Sequence, residues 1–302
     1  MANIAIFLSS DNNYAPFVAT TIASICDNTK SFCDFYILDG GITEENKAKI
    51  CALKSQFDNF SIAFVAVDIR KYFKYDYQNT ATHVSISTYN RFLIPDLFKS
   101  IQKAIYLDVD IIALGNIDNL YCQNLNDFIL GAVPKKINSK NKHNFYDHLD
   151  LSHGHEYFNA GVLLIDCEKW RISNITQKLF DVLDRYYNKL QLADQDVLNK
   201  TFENSYQMLN GEFNVMSNEI VYGNLSDNIV LRHFNDKIKP WHISPDAPNK
   251  VCQNLENFWY YAQKTLFSDI LLEHAKLTTT QVLRQGMVSE ILKKQIYGVK
   301  NA

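Results

Sequence analysis

Short apolar runs alternate with polar breaks along most of the chain. Asn3 to Leu8 is an Ile- and Phe-rich run, Ser9-Ser10-Asp11-Asn12-Asn13 interrupts it, and Tyr14 to Cys26 then carries helical periodicity. That order predicts a strand, a polar loop at its carboxyl end, and a helix. The pattern repeats with a strand over Asp34 to Leu38, a Gly40-Gly41 turn, and Thr43 as N-cap before Glu44 and Glu45 of a helix running to Phe57. Further strands are expected at Ser61 to Val67, Ala104 to Leu107, Phe128 to Val133 and Gly161 to Ile165. Helices are expected at Thr88 to Phe98, Ile175 to Leu190 and Asp194 to Phe202. Alternating strands and helices predict an α/β fold with a mostly parallel sheet and helices on both faces. Ligands of such sheets sit beyond the carboxyl ends of the strands, where Asp11, Asn13, Asp108 and Asp110 converge by topology alone.

The 302 residues can bury a sizeable core, and a net charge of −3 provides no general attraction to nucleic acid. The first apolar run is too short for a signal-peptide core or a membrane span, so a soluble cytoplasmic chain is expected. The six cysteines form no CxxC pair, which suits reduced, mostly buried thiols. Aromatic residues reach 13 %, and many tyrosines lie among Asn, Asp and His; core and rim packing explains most of them, with stacking on a base or sugar as the alternative. Residues 274–302 carry Lys276, Arg284, Lys293, Lys294 and Lys300 against Glu290 alone. Met287, Val288, Ile291, Leu292 and Ile296 share one helical face there, so this tail either docks on the core or lies on an anionic membrane.

The sharpest chemical signal is Ile105-Tyr106-Leu107-Asp108-Val109-Asp110, an apolar strand running into two carboxylates at i and i+2. Two negative charges so close repel unless a cation lies between them, although a solvated strand end is the commoner origin of an isolated DxD. Far downstream stands His233-Phe234-Asn235-Asp236-Lys237-Ile238-Lys239-Pro240-Trp241-His242. Two carboxylates and one imidazole make a mixed O/N set suited to Mn²⁺, with Mg²⁺ as the second choice, and Lys239 would add a point charge for phosphate. A rival cluster is His143, His148, His153 and His155 with Asp147 and Asp150, but its polar, loop-like run lacks the fixed spacing of zinc sites and reads better as a flexible loop beside an acceptor pocket.

YLDVD at 106–110, FNAGVLLID at 158–166, ADQDVLN at 193–199 and HFNDKIKPWH at 233–242 together resemble the retaining family 8 glycosyltransferases, notably bacterial lipopolysaccharide and lipo-oligosaccharide α-galactosyl- and α-glucosyltransferases. SSDNNYA at 9–15 and HVSISTYNRF at 83–92 extend the resemblance over about residues 1–245. It implies a GT-A fold, Rossmann-like, with a catalytic domain over 1–250 and a C-terminal helical segment over 251–302. It also implies a UDP-sugar donor and a saccharide or glycolipid acceptor; the basic, apolar-striped tail lies outside the resemblance, and peripheral contact with the inner membrane through it is the alternative to docking on the core. Carried across by position, Asp11, Asn13 and Tyr14 hold the uridine, Asp108, Asp110 and His233 the metal, and His83 and Lys239 the diphosphate. Arg91, Asn159, Asp194 and Gln195 surround the donor sugar, with Gln195 and Asp194 nearest the reaction.

Two positions depart from the resemblance. Asp236 stands where a glycine is expected, placing a side chain near the diphosphate, and Lys135 replaces an acid that contacts the donor sugar and cannot accept its hydrogen bond. Either the loop is shifted or the donor sugar differs from that of the nearest relatives. These departures motivate a second reading, a UDP-sugar-binding protein without transferase activity. A third, a haloacid-dehalogenase-type phosphatase, shares only the DxD after an apolar strand and lacks that family's later paired aspartates.

Overall fold

The computed structural model describes residues 3–74, 86–135, 137, 146–216, 228–236, 239–246 and 254–284. Its centre is a seven-stranded sheet of order β3-β2-β1-β4-β7-β6-β8. These strands are β1 (Ile4–Ser10), β2 (Cys33–Asp39), β3 (Phe60–Ala66), β4 (Lys103–Leu107), β6 (Leu130–Pro134), β7 (Phe158–Asp166) and β8 (Gln207–Met208). β1 pairs in parallel with β2 and β4, while β7 runs antiparallel to both β4 and β6. The sheet is therefore mostly parallel, as the alternating pattern predicts, with one reversed strand. A second, three-stranded sheet joins β5 (Ile111–Ala113), β10 (Leu231–His233) and β9 (Val215–Met216). None of these three short strands is legible from periodicity, because two or three residues make no pattern.

Period-2 alternation along β1 divides the interior into two apolar layers. Ile4, Ile6 and Leu8 face one core with α1 (Ala15–Asn28), which buries Val18, Ile22 and Ile25. Ala5 and Phe7 face the other, which takes Trp170 of α5 (Cys167–Ile172), Leu179 and Leu183 of α6 (Ile175–Tyr186), and Val197 of α7 (Asp194–Thr201). Three short helices complete the series up to β6: α2 (Glu44–Cys51), capped by Thr43 as expected, α3 (Ile94–Leu97) and α4 (Asp118–Tyr121). The helix expected over Thr88 to Phe98 is a 3-10 helix from Ile86 to Leu93 followed by α3. Pro95 lacks an N–H and fits only a first helical turn, so the α-helix starts there.

The C-terminal segment contributes α8 (Leu255–Ala262) and α9 (Ser268–Arg284). Phe258, Trp259, Phe267 and Leu271 join the same core as β1 and α1. The Trp259 indole donates to the Ile243 carbonyl at 3.2 Å, and Asn28 donates to the Tyr261 hydroxyl at 2.7 Å. α9 is tied to the turn at Pro240–His242, where the Thr278 hydroxyl donates to the His242 carbonyl. The stripe from Met287 to Ile296 lies outside the described residues. Among those described, no helix is long and apolar enough to cross a membrane.

Candidate active site

The loop after β1 is shaped by its own polar side chains. Asp11 caps the 3-10 turn Asn12–Tyr14, its Oδ1 accepting from the backbone N–H groups of Asn13 and Tyr14 at 2.9 and 3.2 Å. Asn12 ties this loop to the start of α2, its Oδ1 accepting from Thr43 N and Asn46 Nδ2. Gly40 closes the gap behind it, since a Cβ there would lie 3.0 Å from Ser87 Oγ and 3.1 Å from Ser10 O. Asp11 and Tyr14 line the cleft, and the Tyr14 ring is 42 % exposed with its edge against Phe17. Asn13 enters through its backbone; its side chain is exposed.

At the end of β4 the chain turns through Asp108-Val109-Asp110 into β5. The buried Thr21 hydroxyl of α1 holds this turn from below, 2.7 Å from the Ile111 carbonyl and 3.1 Å from that of Val109. β10 pairs with β5 so that His233 lies opposite Ile111, which carries its imidazole to the carboxylates. His233 Nε2 is 3.0 Å from Asp110 Oδ1 and 3.8 Å from Asp108 Oδ2. One ligand atom from each of Asp108, Asp110 and His233 lies within 4.8 Å of the others, the only such group among the described residues. Lys239 Nζ lies 2.7 Å from Asp110 Oδ2 and donates to the Phe234 carbonyl. Burial alone would raise the Asp110 carboxyl, but Lys239 and His233 outweigh it and hold the group far below the usual carboxylate range. The Pro-Trp corner that carries Lys239 is anchored by Trp241 stacked on Phe17 at 3.8 Å.

A second group faces this centre across the cleft. The Arg91 guanidinium bonds Asp108 Oδ1 at 2.9 Å, the Ala160 carbonyl at 2.6 Å and both oxygens of Thr88, and it stacks 4.1 Å over the Tyr106 ring. Asp194, at the start of α7, accepts from the Thr88 hydroxyl through Oδ1 and lies 3.1 Å from Arg91 Nε through Oδ2. That Nε–H points at the Thr88 carbonyl, so Asp194 Oδ2 is held by charge and has no hydrogen bond. Burial pushes the Asp194 carboxyl up to about 6 despite Arg91. Gln195 is gripped at both ends: its Oε1 accepts from Asn159 Nδ2 and Ala160 N, and its Nε2 donates to Tyr157 O–H at 3.2 Å. Tyr157 donates in turn to Asp196 Oδ1 at 2.5 Å, and Asp196 Oδ2 accepts from the backbone of Gln191 and Leu192.

The cleft between these groups has a volume of about 670 Å³. Lys135 stands in its wall, its ammonium pulled below the usual lysine range by burial and partly restored by Asp196. Asp236, expected to crowd the diphosphate, is exposed, and its neighbour Asn235 lines the cleft. His83 and His143 lie outside the described residues. The other clustered histidines diverge: His148 pairs with Asp196, His155 is fully buried against Asn199, and His153 faces Asp147 at the surface. His148 and His155 thus both contact side chains of α7. Thr21, Tyr157 and Asn214 escaped the sequence reading, while Thr88, Gly161 and Asp196 fall inside the motifs HVSISTYNRF, FNAGVLLID and ADQDVLN with no role read for them there.

Comparison with known proteins accords with this geometry. The crystal structure of the galactosyltransferase LgtC in complex with donor and acceptor sugar analogues matches with a TM-score of 0.73 and 26 % identity, covering 87 % of this chain and 96 % of that one. The fold is thus of the GT-A glycosyltransferase class. The chain belongs to glycosyl transferase family 8, whose family model matches residues 5–244. A lipopolysaccharide 1,2-glucosyltransferase of Escherichia coli is 28 % identical over 246 residues, 77 % of this chain and 71 % of that one. The general stress protein A of Bacillus subtilis is 26 % identical over 280 residues, 86 % and 93 % of the two chains. With family membership in hand, the phosphatase reading has no support.

Proposed function

We propose that the protein transfers a hexose from UDP-galactose or UDP-glucose to a saccharide acceptor with retention of the donor's α-configuration, using Mn²⁺ held by Asp108, Asp110 and His233. The observation that carries this reading is the convergence of those three ligands with Arg91 in one cleft at the carboxyl edge of the sheet, with Lys239 paired to Asp110. The donor set fits such an ion: two carboxylate oxygens and one imidazole nitrogen lie within 4.8 Å of one another, and the nitrogen favours Mn²⁺ over Mg²⁺. When bound, the ion would offset the negative charge of the departing diphosphate. Lys239, paired with Asp110 Oδ2, would add a point charge for the same phosphates. Tyr14 offers an exposed ring to a base, with Asp11 beside it.

The residues near the sugar favour attack from the leaving-group face. Asp194 is tied to Arg91 and Thr88, which suits a residue that positions the donor better than a nucleophile. Gln195 is an amide, a weak nucleophile whose carbonyl dipole can support positive charge at the anomeric carbon. The acceptor hydroxyl then attacks as UDP leaves, and the β-phosphate takes its proton. The Escherichia coli relative named for lipopolysaccharide favours a surface-glycan acceptor.

NMR of the product tests the reaction: an α-linked disaccharide with UDP released in equal amount is expected. A β-linkage would overturn retention, and a glycosyl adduct on Asp194 would replace the front-face route with a covalent one. Binding of UDP with Mn²⁺ but no release of UDP, with any acceptor, would favour the inert sugar-nucleotide binder.

A further inference from the structure

We infer that Asn214, a fully buried residue between two short strands, is a positioning residue that joins the metal-ligand set to Gln195 through a one-way chain of hydrogen bonds. The inference rests on the metal reading above. Its direction is fixed by two backbone N–H groups, which can only donate. Gly161 N donates to one side-chain atom of Asn159 at 3.0 Å, so that atom is the carbonyl oxygen and the other is the amide nitrogen. Ala160 N likewise donates to Gln195 at 3.2 Å and identifies its Oε1, which also accepts from Asn159 Nδ2 at 2.9 Å.

The remaining links then have one solution. Asn159 Oδ1 faces Asn214 at 2.8 Å and is an acceptor, so Asn214 must turn its NH₂ toward it and its Oδ1 the other way. That Oδ1 lies 3.0 Å from His233 Nδ1, so the imidazole carries its proton on Nδ1. Nε2, which faces Asp108 and Asp110, is thereby the nitrogen that can offer a lone pair to a metal ion in place of its proton. On the far side, Gln195 Nε2 donates to Tyr157 O–H, which donates to Asp196. Burial holds the Tyr157 phenol well above its usual range, so it stays a donor. From His233 to the Asp196 carboxylate every group donates in the same sense.

Asn214 is the link that touches the ligating histidine; it accepts on one side and donates on the other, and two substitutions separate those tasks. Asn214→Leu removes both. Asn214→Asp can still accept from His233 Nδ1–H but sets an oxygen against Asn159 Oδ1, which must give up its place and with it the grip on Gln195. Mn²⁺ binding is measured by electron paramagnetic resonance of the free ion with no donor present, alongside kcat and KM for a UDP-hexose and the unfolding midpoint. Asn214→Leu is expected to weaken Mn²⁺ binding by about 10- to 100-fold, the usual effect of losing the partner of a ligating histidine. Asn214→Asp is expected to keep Mn²⁺ affinity within about threefold while kcat falls by about 10-fold or more, a split that general loosening of the fold would not produce. Mn²⁺ binding by Asn214→Leu equal to that of the parent, or parallel loss of affinity and kcat in Asn214→Asp, would overturn the inference alone. A parent chain that takes up no Mn²⁺ would overturn the metal reading and this inference with it.

Discussion

Replacing Gly161 by alanine inserts one methyl group into the centre of the site. A Cβ at Gly161 would lie 2.4 Å from His233 Cε1, 2.8 Å from Asp108 Oδ2 and 2.9 Å from His233 Nδ1. Non-bonded carbons rest at about 3.5–4.0 Å, so the ring must retreat by roughly 1 Å. It has little room to do so, because His233 is 2 % exposed, pinned on β10 against β5 and bonded to Asn214. Gly161 lies within β7 with no left-handed φ, so alanine adds no backbone strain and the experiment isolates the collision. Overpacking of this kind costs about 1–3 kcal/mol of stability. A 1 Å displacement of a site group costs about 100-fold in rate, or about 2.7 kcal/mol of transition-state stabilisation. UDP release at saturating UDP-hexose, with Mn²⁺ titrated, should show Gly161→Ala at least about 100-fold below the parent in kcat/KM and needing more Mn²⁺ for half-maximal rate. A folded variant within about threefold of the parent would refute the claim that Gly161 sets the position of His233.

Gln195→Ala should lower kcat by about ten- to a thousandfold with little change in stability, the range for one electrostatic contact; a complete loss would point to a larger role. Thr21→Val removes a buried hydroxyl that holds the carbonyls of Val109 and Ile111, and urea melts should show a loss of about 1–3 kcal/mol together with weaker Mn²⁺ binding. The Asp194 carboxyl is raised to about 6 in the fold, so the native state holds a proton that the unfolded chain has released between about pH 4 and 6. Its contribution therefore declines as pH rises through that window, by up to about 3 kcal/mol. The stability of Asp194→Asn relative to the parent should rise correspondingly, and a pH-independent difference in urea melts would refute the assignment.

The sequence made the frame and half of the site legible because those parts are local. An apolar strand running into Asp108 and Asp110 announces carboxylates at a sheet edge, and the polar break after the first apolar run announces the loop that carries Asp11. His233 could be paired with them only through resemblance to a family, because 122 residues separate it from Asp110 and the three-residue strand that carries it has no periodicity. The supporting side chains were beyond reach for the same reason. Asn214, Thr21 and Thr88 are ordinary polar residues whose roles arise from contacts between distant elements. Within the histidine run over 143–155, set aside as a zinc site for want of fixed spacing, the described His148, His153 and His155 point to different partners although they are close in sequence.

The central claim is that one divalent ion, held by Asp108, Asp110 and His233, serves hexose transfer from UDP. It is tested most directly by UDP release from UDP-galactose, UDP-glucose and their N-acetylated counterparts with a saccharide acceptor, in chelator and after Mn²⁺ is restored, for the parent and for Asp110→Ala. The expected result is acceptor-dependent release with at least one donor, abolished by chelator, recovered with Mn²⁺, and absent in a folded Asp110→Ala. Undiminished release in chelator, or from Asp110→Ala, would contradict it.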